Sequence, residues 1–152
     1  AEPGSITHQP GHLIDFMATF LDVGKAKYPQ QVGARKVDPL MGKSLLPILQ
    51  GKERAGHETL YFHFGTDRAL RQDPWKLVSA KLGRWELYNL DEDRTELNDL
   101  AAKYPKRVKA MAAKWLDIAE NTERLKGKHL SPVKDTIKEL GFRKDTSNQL
   151  KK

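Results

Sequence analysis

Between residues 59 and 90 apolar side chains recur with a period of two, broken every few residues by turn-forming clusters. Only short, closely spaced antiparallel strands satisfy that pattern. In Thr59 to Phe64, Leu60, Phe62 and Phe64 share one face, which reads as the core face, and Tyr61 and His63 share the other. Gly65-Thr66-Asp67 and Gln72-Asp73-Pro74 read as turns on either side of a short strand, Arg68 to Arg71. Trp75 to Lys81 and Trp85 to Leu90 form two further strands around Leu82-Gly83, the most hairpin-like spacing in the chain. The expected unit is an antiparallel meander of three or four strands.

Helical periodicity flanks the meander on both sides. Pro105 suits a first helical turn, and Val108, Met111, Ala112, Trp115, Leu116 and Ala119 then recur on one stripe that should cover one face of the sheet. Upstream, residues 12–23 place Leu13, Phe16, Met17, Phe20 and Leu21 at helical spacing for one buried stripe, with Gly24 where a C-cap belongs. Residues 25–42 lack periodicity and read as a long surface loop, and Ser44 can cap a short helix, Leu45 to Gln50, ended by Gly51. The expected class is α+β: a meander packed against a C-terminal helix and preceded by an N-terminal helix and loop. The expected segments are 1–56, 57–121 and a basic, flexible tail over 122–152, within which Val133 to Leu140 can form one amphipathic helix.

Composition excludes several chemistries. The 152 residues contain no cysteine, so no disulfide, thiolate zinc site or cysteine nucleophile is available. The longest apolar runs are far shorter than the ~20 residues that span a bilayer, and Ala1-Glu2-Pro3-Gly4-Ser5 has neither the basic nor the apolar region of a signal peptide. The net charge of +7 lies in the last third, where residues 101–152 carry 14 Lys/Arg against 6 Asp/Glu. With Phe142 as the one aromatic after Trp115, that tail reads as a solvated terminus and argues against nucleic acid.

Motifs that mimic known sites fail on spacing. Gly42-Lys43-Ser44 ends like a phosphate loop, but Val37 stands where the loop's first glycine belongs. Asp91, Asp93 and Thr95 start like a calcium loop, but Ala102 occupies the place of its bidentate glutamate. His8 and His12 are separated by Pro10 and Gly11, and no third metal ligand is near. Asp15 and Asp22 read as a solvated helix edge. No Gly-x-Ser-x-Gly occurs, and no nucleophile is accompanied by a base and an orienting partner.

Five segments agree in order and spacing with one family. His12-Leu13-Ile14-Asp15-Phe16-Met17-Ala18-Thr19, Gly42-Lys43-Ser44-Leu45-Leu46-Pro47-Ile48-Leu49, Arg68-Ala69-Leu70-Arg71, Trp75-Lys76-Leu77-Val78, and Leu87-Tyr88-Asn89-Leu90 running on to Asn98 resemble the C-terminal part of arylsulfatases. The resemblance spans residues 6 to about 120, with Asn89 where the family has Asp and Arg94 where it has Pro. It implies a parent that hydrolyses sulfate esters with a formylglycine, made from Cys or Ser in Cys/Ser-x-Pro-x-Arg, beside a calcium ion. This chain has neither that motif nor the metal ligands, which the resemblance places in an N-terminal catalytic domain of the same polypeptide. It also implies a periplasmic or secreted parent.

The expected function is therefore a non-catalytic C-terminal subdomain that completes a sulfatase fold and lines the mouth of its substrate pocket. In that role His63 and Arg68, projecting from one sheet edge, are the candidate substrate-binding residues, because imidazole and guanidinium suit sugar hydroxyls and sulfate. The alternative is an independent basic module that binds anionic polymers through residues 103–152.

Overall fold

A computed structural model describes residues 2–123. The expected tail and the helix over 133–140 lie outside the described residues, apart from Thr122 and Glu123. The elements in chain order are α1 (Asp15–Val23), β1 (Gln31–Val32), β2 (Arg35–Lys36), α2 (Leu46–Leu49), β3 (Leu60–Phe64), β4 (Asp67–Gln72), β5 (Trp75–Ser79), β6 (Glu86–Asn89) and α3 (Pro105–Asn121). They divide into two units, with the break between His57 and Glu58.

The second unit is the expected α+β meander. Its four strands are antiparallel in the order β3-β4-β5-β6. Phe64 pairs with Asp67 and Gln72 with Trp75, so two hairpins close through two-residue loops, one of them with Gly65 at φ +59°. The loop from β5 to β6 is longer than the spacing around Leu82-Gly83 suggested, because Lys81 and Leu82 both take left-handed backbone. The stripe of α3 is buried as its periodicity predicts: Val108, Met111, Ala112, Trp115, Leu116 and Ala119 all lie inside. They pack on Leu70, Leu77, Trp85 and Leu87 of the sheet.

The face of β3 is the reverse of the expected one. Tyr61 and His63 turn toward α3, with Tyr61 stacked on Trp115 at 5.2 Å between ring centroids and His63 edge-on to it at 5.6 Å. Phe64 is 86% exposed and Phe62 also lies at the surface, while Leu60 alone of that set is buried. The physical reason is Trp115, whose indole N–H donates to the Phe62 carbonyl at 3.1 Å and whose ring occupies the space beside Tyr61. An aromatic with a polar rim satisfies both its ring and its hydroxyl there, which a phenylalanine does not.

The first unit is small and loop-rich. Helix α1 begins at Asp15, later than expected, and its packed face is Asp15, Ala18 and Thr19. The stripe expected to be buried is instead exposed at Leu13, Phe16, Met17 and Phe20, the last at 69%. Polar anchoring decides this orientation: the Thr19 hydroxyl donates to the Asp15 carbonyl at 2.7 Å and accepts from Leu45 N–H at 2.9 Å. Gly24 caps the helix in right-handed backbone, and Lys25 takes the left-handed conformation after it. The expected 25–42 loop contains one short antiparallel ladder, β1 with β2. The Ser44 hydroxyl accepts from Leu46 N–H at 3.1 Å, but α2 starts one residue later than expected, with Leu45 at its N-cap position and no side-chain cap bond, so Ser44 precedes the cap instead of supplying it. No helix among the described residues is long and apolar enough to cross a membrane.

Trp115 is completely buried, so Trp115→Ala should cost about 3 to 5 kcal/mol in a denaturant titration. Lys114→Ala, which removes only a half-exposed side chain and its 3.5 Å pair with Asp117, should cost less than about 1 kcal/mol. Equal losses would contradict the helical face described here.

Candidate functional site

Two clusters of polar side chains stand out, one in each unit. In the meander, the register aligns His63 of β3, Arg68 of β4 and Ser79 of β5 in one row across the strands. The structure thus brings the two expected site residues together. It does not project Arg68 from an edge, because the row faces α3 and Arg68 is only 3% exposed.

Arg68 is held by its surroundings on several sides. Its Nη2 donates to Ser79 Oγ at 2.7 Å, and Ser79 donates onward to the Gly83 carbonyl at 2.6 Å. The guanidinium lies 4.8 Å from the Trp85 ring centre and 5.8 Å from that of Trp115. Arg68 Nε and Nη1 and Trp85 Nε1 have no hydrogen-bond partner among the described residues. Burial lowers the guanidinium's proton affinity from its ordinary value, and the indole faces offset part of that cost.

His63 sits at the end of the row. Its Nδ1 meets Glu123 Oε1 at 2.8 Å and its Nε2 meets the Gly65 carbonyl at 3.0 Å. Both partners are acceptors, so a neutral ring satisfies one and the imidazolium satisfies both. The Tyr61 hydroxyl also donates to Glu123. Burial, reinforced by the Glu123 charge, raises the Tyr61 hydroxyl well above its ordinary range, so it stays a donor. The trio ties the end of α3 to β3 and leaves the edge of the imidazole as the accessible part of the row.

The first unit's cluster centres on Asp15, which the sequence reading placed on a solvated edge. Asp15 is completely buried. Its carboxylate accepts from four donors: His12 N–H at 2.9 Å, Lys43 N–H at 2.9 Å, Arg54 Nη2 at 2.9 Å and His57 Nε2 at 2.6 Å. The bond back to His12 N–H closes the turn that leads into α1, and an acid in the first turn of a helix is the signal that could have revealed it. Gly42 makes the Lys43 contact possible, since a Cβ there would stand 2.0 Å from the Ile14 carbonyl oxygen. Gly42-Lys43-Ser44 therefore resembles a phosphate loop because a close backbone approach also demands glycine.

Burial alone would raise the Asp15 carboxyl. The Lys43 and His12 N–H groups outweigh it, aided by His57 and Arg54, and hold it well below the usual carboxylate range. A depressed native pKa means stability that is present above the unfolded value and lost as pH falls below it.

The remaining motifs resolve into local structure. Asp93 accepts from Leu97 and Asn98 N–H, both at 2.8 Å, which makes it a turn residue. Among the described residues no group of three or more His, Asp or Glu side chains is placed to hold a metal ion. A calcium site of the kind the resemblance implies has no ligand set within residues 2–123.

No protein-family model matches the chain. Solved structures share its fold over most of its length. Ps i-CgsB does so at a TM-score of 0.52 and 19% identity, over 70% of this chain and 23% of that one. BT33336S-sulf, from a Bacteroides thetaiotaomicron locus that orchestrates metabolism of multiple glycosaminoglycans, does so at 0.53 and 18%, over 68% and 24%. BT4656, solved with its substrate D-glucosamine-2-N,6-O-disulfate, does so at 0.50 and 21%, over 80% and 24%. The chain spans about a quarter of the length of the structures it matches.

Asp15→Asn leaves Arg54 and His57 without their counter-charge and should destabilise the first unit by about 3 to 5 kcal/mol near neutral pH. Amide exchange at Lys43 and His12 reads the loss directly. In the unmodified chain that protection should fall between about pH 5 and pH 2, and the fall should flatten in the variant. A variant whose acid sensitivity matches that of the unmodified chain would contradict the assignment.

Proposed function

We propose that the chain is the C-terminal, non-catalytic part of a sulfuric ester hydrolase that acts on a sulfated sugar. The observation that carries this reading is the combination of ordered arylsulfatase-like segments with a fold shared by part of BT4656, whose substrate is a glucosamine disulfate. In this reading the chain completes the fold of a larger polypeptide. The exposed apolar residues of α1 in the first unit, and Phe62 and Phe64 on the uncovered sheet face of the second, are of the kind that a further domain covers. Formylglycine and calcium then belong to the preceding catalytic domain, with arylsulfatase-type chemistry and export from the cytoplasm.

His63 and Arg68 are the candidate contacts to substrate. His63 presents the accessible edge of the row, and Arg68 lies beneath it and adds positive charge. Together they suit a hydroxyl-rich anion better than a small neutral molecule.

The reading has two direct tests. The purified 152-residue chain should not turn over 4-nitrophenyl sulfate, because catalysis needs an activated nucleophile and charge stabilisation that these residues do not assemble. A longer polypeptide that joins this chain to its upstream sequence should hydrolyse sulfate esters. In that polypeptide His63→Ala should lower kcat/KM for a sulfated oligosaccharide about tenfold and leave 4-nitrophenyl sulfate within about twofold, since only the larger substrate reaches the rim. Proportional losses on both substrates would make His63 structural.

A further inference from the structure

The N-terminal end of α3 borders a cleft of about 640 Å³ lined by Gln72, Lys103, Tyr104, Pro105, Lys106, Arg107, Ala110 and Met111. Three of these residues are cations and none is an acid. Lys103, Lys106 and Arg107 are all exposed, and none of them forms an ion pair among the described residues. The first turn of α3 contains no acidic residue at all.

This arrangement is costly for the fold by itself. Cations at the positive end of a helix macrodipole are unfavourable, and Lys103 also meets like charges three and four residues on, at Lys106 and Arg107. Arg107 recovers part of that cost over the Trp75 ring at 4.4 Å, and Lys103 lies 5.4 Å from the Tyr104 ring centre. Lys106 has no such contact among the described residues. An external anion would relieve all three.

We infer that this cleft binds a sulfated oligosaccharide at a site separate from the His63–Arg68 row, and so acts as a secondary holding site for an anionic glycan. Its floor and walls, Met111, Ala110, Pro105 and Tyr104, offer apolar contact to the C–H face of a sugar ring, and the cations take its sulfates. Nucleic acid fits less well, because single strands are held by stacking bases on open aromatic faces. Here Trp75 and Tyr104 already meet edge to face at 5.2 Å, and a Trp75 face is covered by Arg107. The choice of ligand rests on the sulfated-sugar reading of the function.

The test uses the 152-residue chain and isothermal titration with three probes: a heparin-derived tetrasaccharide, its desulfated counterpart, and a single-stranded oligonucleotide of matched charge. Lys103→Ala/Lys106→Ala should weaken tetrasaccharide binding about tenfold or more and reduce its salt dependence. Its thermal midpoint should be unchanged or higher, because the removed charges oppose the helix dipole. Arg35→Ala/Lys36→Ala, which removes the same charge from β2, should bind as the unmodified chain does. The desulfated probe should bind at least tenfold more weakly than the sulfated one.

Equal weakening by both double variants, or none by the first, overturns the site. Oligonucleotide binding that is as tight and as sensitive to Lys103→Ala/Lys106→Ala overturns the glycan assignment. Sulfate-ester turnover by the longer polypeptide tests the functional reading alone, so a cleft that binds in an inactive polypeptide and an active polypeptide whose cleft does not bind are distinguishable results.

Discussion

Trp115 is the contact around which the meander unit is arranged. Its ring meets Tyr61, His63 and Trp85, and its N–H closes on the Phe62 carbonyl. One large side chain thereby sets three things: which face of β3 turns inward, how α3 lies on the sheet, and where a buried guanidinium finds a low-polarity but electron-rich seat. Arg68 is tolerated in this core because two indoles and the Ser79 hydroxyl surround it. Without the indoles a buried cation lacking a carboxylate would be a severe liability.

The first unit relies on a different device. It has too little apolar surface turned inward to hold together by burial, and a completely buried carboxylate takes over that role. Asp15 gathers donors from His12, Lys43, Arg54 and His57, so one side chain joins the helix start, the loop before α2 and the segment leading to the break at His57. Such a hub is intolerant of loss of its charge, and it spends the polar side of α1 on internal bonds. The apolar side of the same helix is left to the solvent-facing surface, as are Phe62 and Phe64 in the other unit.

Much of this was legible beforehand, and the parts that were not share one cause. The stripe of α3 was read correctly to the residue, because six apolar positions at a 3.6-residue period admit a single buried face. A meander of three or four strands and its two tight turns were legible because alternation and turn residues are local signals, whereas the β5–β6 loop is longer than the local spacing suggests. The face of β3 was not, since Leu60, Phe62 and Phe64 on one side and Tyr61 with its neighbours on the other are both apolar enough to face a core. For α1, periodicity identified the apolar stripe but not which side the unit packs against, and Asp15 looked like any helix-edge acid. His63 and Arg68 lie together in one row, yet the reversed strand face makes Arg68 an interior residue.

The sequence by itself determined the α+β class, the strand order implied by short turns, the register of α3, and the absence of cysteine chemistry. It did so because periods, turn residues and composition act over a few neighbouring positions. Only the tertiary structure decided that Asp15 is a buried hub, that Arg68 is enclosed by Trp85 and Trp115, and that Lys103, Lys106 and Arg107 surround one cleft. The first two depend on groups from separate elements converging, such as Arg54, 39 positions beyond Asp15, and the Phe62 carbonyl that seats Trp115 from 53 positions away, and the third on Gln72 of β4 closing the cleft beside the start of α3. Convergence over such separations is set by packing and hydrogen bonding of the whole unit, which no local pattern encodes.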